Sequence, residues 1–355
     1  MDTFAVYFNP LGTLSSSISS DTLFGAVCWG IQILGLKPDL SEWLTDQQDN
    51  PPFAFSAPFP TILLKERRLH LYPRPLTLRV NTETVEQVIQ TLNRSKETLK
   101  TVVKNAKRIN SSIWISEGVL EQVMQKALRP VDILQRLDKD FVLHEGVLYL
   151  RTEVKYNPPA LSRSQPVLHN QIDRVAGATV EGALFYETET FFAPGTGLWA
   201  LLRAEKQDFK TLIEPALRYL ADTGLGANRA TGKGHFKIEY GVAPTFPRVN
   251  EPQGRLLLSR FLPTRNEMQS LTNIDKLTYR IRTIRAKREK GVPVEDSNQT
   301  STAIYKRSVR MFEPGSVLPL PSAEIHGRLA LVVKEHEGHP VFQSGAALSL
   351  PIGGL

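Results

Sequence analysis

What constrains this chain most is a hydrophobic period that switches between two and 3.6 along its first 245 residues. Residues Thr3 to Phe8 read as a first strand. The stretch DTLFGAVCWGIQILG, apolar on most faces, predicts a helix that Ser19, Ser20 or Asp21 caps and Gly35 ends. A strand is expected near Thr61 to Leu64, inside an otherwise irregular stretch rich in proline. A strand is read from Gly197 to Ala204, a helix follows from Phe209 to Ala221, and a last, alternating strand runs from His235 to Tyr240.

Strand, helix, strands, helix, strand is the βαββαβ order of a ferredoxin-like fold in the α+β class. The long interval between its second and third strands reads as an insertion over about 65–180. Within it, Val85, Val88, Ile89 and Leu92 give helical spacing to Thr82–Lys107, and SSIWISEGVLEQVMQKAL starts as a strand and ends as a helix. FVLHEGVLYLRTEV predicts a hairpin turning at Glu145 and Gly146. A polar loop carrying Arg163 and Arg174 is expected to turn through Gly177 and Gly182 into a strand from Ala183 to Phe192. The proline-rich GVAPTFPRVNEPQG separates a first domain, 1–245, from a strand-rich second one, 246–355.

Lysine and arginine outnumber the acids by 43 to 36, a net charge of +7 that favours a polyanionic partner. The excess is local: Arg255 to Arg310 holds thirteen lysines and arginines against five acids. Within it, LTYRIRTIRAKREK places Leu277, Tyr279, Ile281 and Thr283 on one face and Lys276, Arg280 and Arg282 on the other, and TAIYKRSVRMF offers a return strand. A basic hairpin over about 275–312 results. Its Arg280, Arg282 and Arg310, interleaved with Tyr279, Tyr305 and Phe312, suit phosphate contacts and base stacking on single-stranded nucleic acid. The single cysteine, Cys28, excludes a disulfide framework and a cysteine zinc cluster and fits a reducing compartment. With no basic-then-apolar leader and no run of eighteen apolar residues, a cytoplasmic protein without a membrane partner is expected.

The loop TGLGANRATGKGHF, residues 223–236, concentrates glycine and basic residues between a helix and a strand. It fails as a P-loop, because Ala227 stands where the first glycine belongs and Gly234 where the magnesium-binding hydroxyl belongs. It fails as a dinucleotide fingerprint, because Arg229 replaces the third glycine and the helix-to-strand order is reversed. No nucleotide cofactor and no small-molecule substrate are therefore expected. Gly224, Gly226, Gly232 and Gly234 permit positive φ, while Asn228, Arg229, Thr231 and Lys233 supply donors. Two readings stay open on these residues: a cradle for a sugar-phosphate backbone, or a plain connection capped by Gly224. No metal site is expected, since His336 and His339 stand three apart before a proline. His169 is the one candidate general base, and a loop or phosphate hydrogen bond is the plainer role for it.

Taken together, SSDTLFGAVCWGI, IDRVAGATVEGALFYETETFF, GLGANRATGKGHF and RMFEPGSVL resemble, in this order, the RAMP subunits that cap the crRNA 5′ tag in type III-A (Csm) CRISPR effector complexes. The resemblance implies tandem ferredoxin-like (RRM-like, RAMP) domains and a non-catalytic RNA-binding subunit of antiviral defence. Such a subunit anchors the repeat-derived tag and bridges the large polymerase-domain subunit to the backbone RAMP subunit. Carried over by motif, it implies RNA contacts from Ser19, Ser20 and Asp21; from Asp173, Arg174, Gly177, Thr179 and Gly182; from the glycine loop; and from Arg310, Phe312, Gly315 and Ser316. The roles given to Arg163 and to the basic 275–312 region rest on charge and periodicity. The alternatives are a crRNA-processing RAMP endoribonuclease using His169, the equivalent subunit of a type III-B or III-D complex, and a scaffold without RNA contact.

Overall fold

The structure is a computed structural model describing residues 1–65, 67–92, 96–125, 128–154, 158, 160–271, 278–286, 306–336 and 339–353. The strand Asp2–Pro10 carries apolar residues on both faces, and Ala5, Val6, Tyr7 and Phe8 are all buried. Burial on both faces suits an interior strand, and this one lies between Phe236–Val242 and Thr196–Ala204, antiparallel to each. From Thr196–Ala204 the sheet continues through Phe59–Leu64, Arg67–Pro73, Trp114–Ser116 and Val147–Leu150 to Phe141–His144. Phe53–Phe55 also pairs with Thr196–Ala204. The expected insertion therefore does not stand apart: its strands widen the central sheet. Its helical stretch divides into Thr82–Thr91, capped by Asn81 accepting from the Thr84 amide at 2.8 Å, and Lys96–Ser111.

Val6 and Phe8 pack under the helices Ser20–Ile33 and Glu214–Thr223, against Leu23, Val27, Ile31 and Leu217. A Cβ on Gly30 would lie 3.1 Å from that of Ala216, so the glycine lets the two helices approach. The second helix is interrupted at its start: a π-turn, Phe209–Ile213, precedes Glu214–Thr223. Pro215 explains it, since a proline removes one amide donor and crowds the carbonyl four residues back. On the opposite face of the sheet, Ala5, Tyr7 and Leu201 join a core with Val119, Leu120 and Met124 of the insertion and Leu256, Leu258 and Leu350 of the second half. The two halves thus share one core.

The second half builds a three-stranded sheet from Val317–Leu318, Gly254–Leu257 and Ser349–Ile352. Two ribbons join it, Ile281–Ile284 with Val309–Phe312 and Leu329–His336 with His339–Ser344. The expected basic hairpin is present at its base, with Ile281 opposite Phe312; its tip, including Tyr305, lies outside the described residues. The polar loop expected around Arg163 is instead a strand. Ser162–Asp173 pairs antiparallel with Ala178–Phe192, twelve residues against fifteen, and most of this hairpin is exposed on both faces. A strand that packs on neither side carries no apolar alternation, which is why its sequence reads as a loop. Among the described residues no helix is long and apolar enough to cross a membrane.

Candidate nucleic-acid interface

The glycine loop folds on itself. The Gly224 amide, at φ +85°, donates to Leu220 and ends the helix. The Leu225 amide donates to the Gly234 carbonyl at 2.7 Å, the Gly234 amide to the Thr13 carbonyl at 2.8 Å, and the Thr231 amide to the Asn228 carbonyl at 3.0 Å. A Cβ on Gly234, at φ +71°, would overlap the Leu225 carbonyl. Gly224 and Gly234 are buried by this closure, so they shape a knuckle and do not line an open amide cradle. Asn228, Thr231 and Gly232 lie exposed on it, with Arg229 half-buried among them.

A buried carboxylate straps this knuckle to the long hairpin. Glu189, 1% exposed, accepts from Thr13 Oγ1 at 2.5 Å and Lys233 Nζ at 2.7 Å, and pairs with His169 Nε2 at 3.0 Å. Asn228 Nδ2 donates to Glu187 Oε2 at 2.8 Å, and the His169 ring stacks on Phe185 with centroids 5.5 Å apart. Lys233, expected on phosphate, is therefore held by a carboxylate in this state. The Lys233 ammonium, then the Thr13 hydroxyl, holds the Glu189 carboxyl below its ordinary value of 4.5. A lowered pKa gives stability that is present above pH 4.5 and lost as the pH falls through the lower, folded value. Hydrogen exchange at the hairpin root, corrected for intrinsic rates, is expected to keep its protection down to pH 4.5 and lose it below. Glu189→Gln, which cannot pair with Lys233 as an anion, should raise exchange there about 10-fold at neutral pH.

The hairpin presents its own surface. Leu168 faces Tyr186 and Asn170 faces Leu184 across the strands, leaving Leu168, Leu184 and Tyr186 exposed on one side. Asp173 closes the tip, accepting from the Val175 amide at 2.8 Å and the Ala176 amide at 3.1 Å, with Gly177 at φ +64°. Arg174 is exposed beside it, Thr179 accepts from Asn170 Nδ2 at 3.1 Å, and Gly182, at φ +74°, lies on the returning strand. Arg163 stands near the root, opposite Phe191.

The serine-rich helix start is turned to another use. Arg260 Nη1, from the second half, donates to Asp21 Oδ1 at 2.9 Å, Asp21 Oδ2 at 3.1 Å and Ser19 Oγ at 2.9 Å, while its backbone amide donates to Ser20 Oγ at 2.9 Å. Gln343 also donates to Asp21. Ser20 and Asp21 are buried, so they tie the halves together instead of facing a ligand. The RMFEPGSVL turn is likewise a joint. Gly315, at φ +88°, accepts from the Leu76 amide at 2.9 Å, and Ser316, buried, accepts from the Arg280 amide at 3.1 Å. Phe312 packs on Phe261 and Tyr279, and Arg282 pairs with Glu313 at 3.5 Å. Arg310 projects from the same ribbon and is exposed.

The structure thus brings together the glycine loop, the hairpin root and the serine loop, where Leu14 bonds to Thr190 and the Ala227 amide reaches Ser16 Oγ at 3.4 Å. The basic ribbon belongs to the second half. Sequence reasoning missed Thr13, Glu187, Glu189 and Arg260, whose partners are far off in the chain; the alternating acids in FYETETFF were the one visible signal.

Residues 250–352 match the family model described as the CRISPR Csm4 C-terminal domain. The chain is 24% identical over 263 residues to the CRISPR system Cms protein Csm4 of Thermococcus onnurineus (strain NA1), covering 74% of this chain and 75% of that protein. Its fold follows a chain of the Csm3-Csm4 subcomplex in the type III-A CRISPR-Cas interference complex, with TM-score 0.64, 14% identity and 99% of each chain covered. It also follows a chain of the Csm1-Csm4 cassette in complex with cA4, with TM-score 0.59, 18% identity, and 99% of this chain and 98% of that one covered. Family model, curated relative and fold point the same way: the chain is similar to Csm4 in its last hundred residues, in sequence over 74% of its length, and in fold to chains of complexes that contain Csm4.

Proposed function

We propose that this chain is the structural RAMP subunit that holds the 5′ tag of the crRNA and links the large polymerase-domain subunit to the backbone RAMP subunit in a type III-A complex of the cytoplasm. The observation that carries the reading is the match of residues 250–352 to the Csm4 C-terminal domain, on a chain that shares its fold with Csm4 over 99% of its length. The relatives with this fold are seen with Csm1 and with Csm3, the two neighbours such a link requires. We read residues 1–245 and 246–355 as tandem ferredoxin-like units, the first supported by the strand order Phe236–Val242, Asp2–Pro10, Thr196–Ala204, Phe59–Leu64.

Recognition, on this reading, combines phosphate contacts from Arg229, Arg163 and the basic ribbon with base contacts from loops and aromatic rings. Co-expression with the large and backbone subunits should yield one complex carrying guide RNA. Recovery of this chain alone, with the other two forming a guide-loaded complex without it, sinks the reading.

No step of RNA cleavage is assigned to this chain. His169 is engaged by Glu189 and stacked on Phe185, so its place is accounted for by holding the hairpin. His169→Ala is expected to leave guide length unchanged in the assembled complex, read by gel and sequencing. Accumulation of unprocessed precursor in that variant would instead favour the endoribonuclease reading.

A further inference from the structure

The helix Lys96–Ser111 buries one face, through Val102, Ala106 and Ile109, in the core that the two halves share. It stands near the edge of the sheet farthest from the glycine loop. Its Arg108 Nη1 donates to Asp138 Oδ2 at 3.0 Å, next to the edge strand Phe141–His144, whereas the glycine loop leads into Phe236–Val242 at the other edge. The helix carries five lysines and arginines against one acid, Glu97. Lys100, Lys104 and Lys107, spaced four and three apart, are exposed, and none of the three makes an ion pair among the described residues. Other helices of this chain pair their surface cations locally: Arg218 with Glu214 at 2.5 Å, Arg136 with Asp140 at 2.6 Å and Arg129 with Asp132 at 3.1 Å. Lys100 and Lys104, four apart on a helix, repel each other instead, which costs stability in the free chain. Beside them, Leu99 at 36% and Val103 at 42% exposed lie outside the buried face and line a shallow groove with these cations.

An anion relieves the repulsion, and the apolar pair decides which kind of anion fits. A phosphate backbone would take the lysines and leave Leu99 and Val103 beside water and charge. An acidic amphipathic helix uses both. Its carboxylates, four apart, meet Lys100 and Lys104, and its apolar row covers Leu99 and Val103, as flanking charges and an apolar seam combine in paired helices. We propose that this face docks an acidic amphipathic helix of a protein neighbour in the assembled complex, at the sheet edge remote from the glycine loop. The inference rests on the assembly reading above and adds to it a surface and the chemistry of what binds there.

The test treats the co-expressed complex with a carbodiimide, which joins lysine amines to carboxylates in direct contact, and maps the links by mass spectrometry. Lys100, Lys104 or Lys107 is expected to link to an aspartate or glutamate of another subunit, on a segment with apolar residues three and four apart. Lys104→Glu and Leu99→Ser should each weaken assembly about 10-fold, with the thermal melting of this chain alone unchanged. Changing the linked carboxylate of the neighbour to lysine should restore assembly with Lys104→Glu. Lys107→Glu decides the matter should Leu99→Ser fail to fold. A complex that forms while these lysines link only within this chain, or in which the variants assemble as the wild type does, overturns the docking face and leaves the assembly reading standing. Lysines crosslinked to RNA by ultraviolet light, with Leu99→Ser neutral, give the face to nucleic acid and overturn it as well. A wild-type chain that joins no complex overturns both.

Discussion

Gly234→Ala is expected to be the most damaging single methyl group that can be added to this chain's glycine-rich loop. The residue sits at φ +71°, where an L side chain is strained, and its Cβ would overlap the backbone carbonyl of Leu225. Backbone cannot swing aside as a flexible side-chain end can, so strain of about 1–2 kcal/mol adds to an overpacking cost of about 1–3 kcal/mol. Scanning calorimetry should show Tm lowered by about 3–7 °C, with RNA affinity reduced because Asn228 and Arg229 lose their fixed places. Gly232→Ala is the control: it has φ +80° but open space around the added atom, so only the strain of about 1–2 kcal/mol applies. Equal effects at the two positions would mean that the loop is not closed through Leu225 and Gly234.

Arg260→Ala carries the second large effect. It strips the cation from Asp21, which is 6% exposed and cannot recover its hydration. Removing one member of a buried ion pair costs about 3–5 kcal/mol, chiefly because the other charge stays buried and unpaired. The double variant Asp21→Asn with Arg260→Met removes both charges and is expected to be more stable than Arg260→Ala alone. Urea denaturation of Asp21→Asn, Arg260→Met and the double variant measures the coupling. Additive costs would show that the pair does not join the two halves as the geometry indicates.

Much of the first half was legible because short apolar runs bounded by turn and cap residues mark its buried strands and helices. The strand from Thr3, the helix after Ser19, the strand before Ala204 and the glycine cap at Gly224 all follow from local pattern. The outgoing strand of the hairpin, from Ser162, escaped because most of it is exposed on both faces, and the interruption at Phe209 escaped because a proline near a helix start reads as an N-terminus. In the site, the glycines announced a turn with positive φ but not what closes it: Thr13 is more than two hundred residues from Gly234 in sequence. The same holds for Asp21. A serine and an aspartate before an apolar helix read as a free cap, and only the fold brings Arg260 onto them. Lys233 was legible as basic, whereas its partner Glu189 was hidden in a strand of alternating acids.

The most direct measurement is crosslinking with mass spectrometry on the assembled, guide-loaded complex, using 4-thiouridine placed along the guide. Peptides from the glycine loop, 223–235, and the hairpin, 162–192, should crosslink to the 5′ repeat-derived nucleotides and to no others. Crosslinks from these peptides to the 3′ end of the guide, or a 5′ tag crosslinked wholly to other subunits, would contradict it.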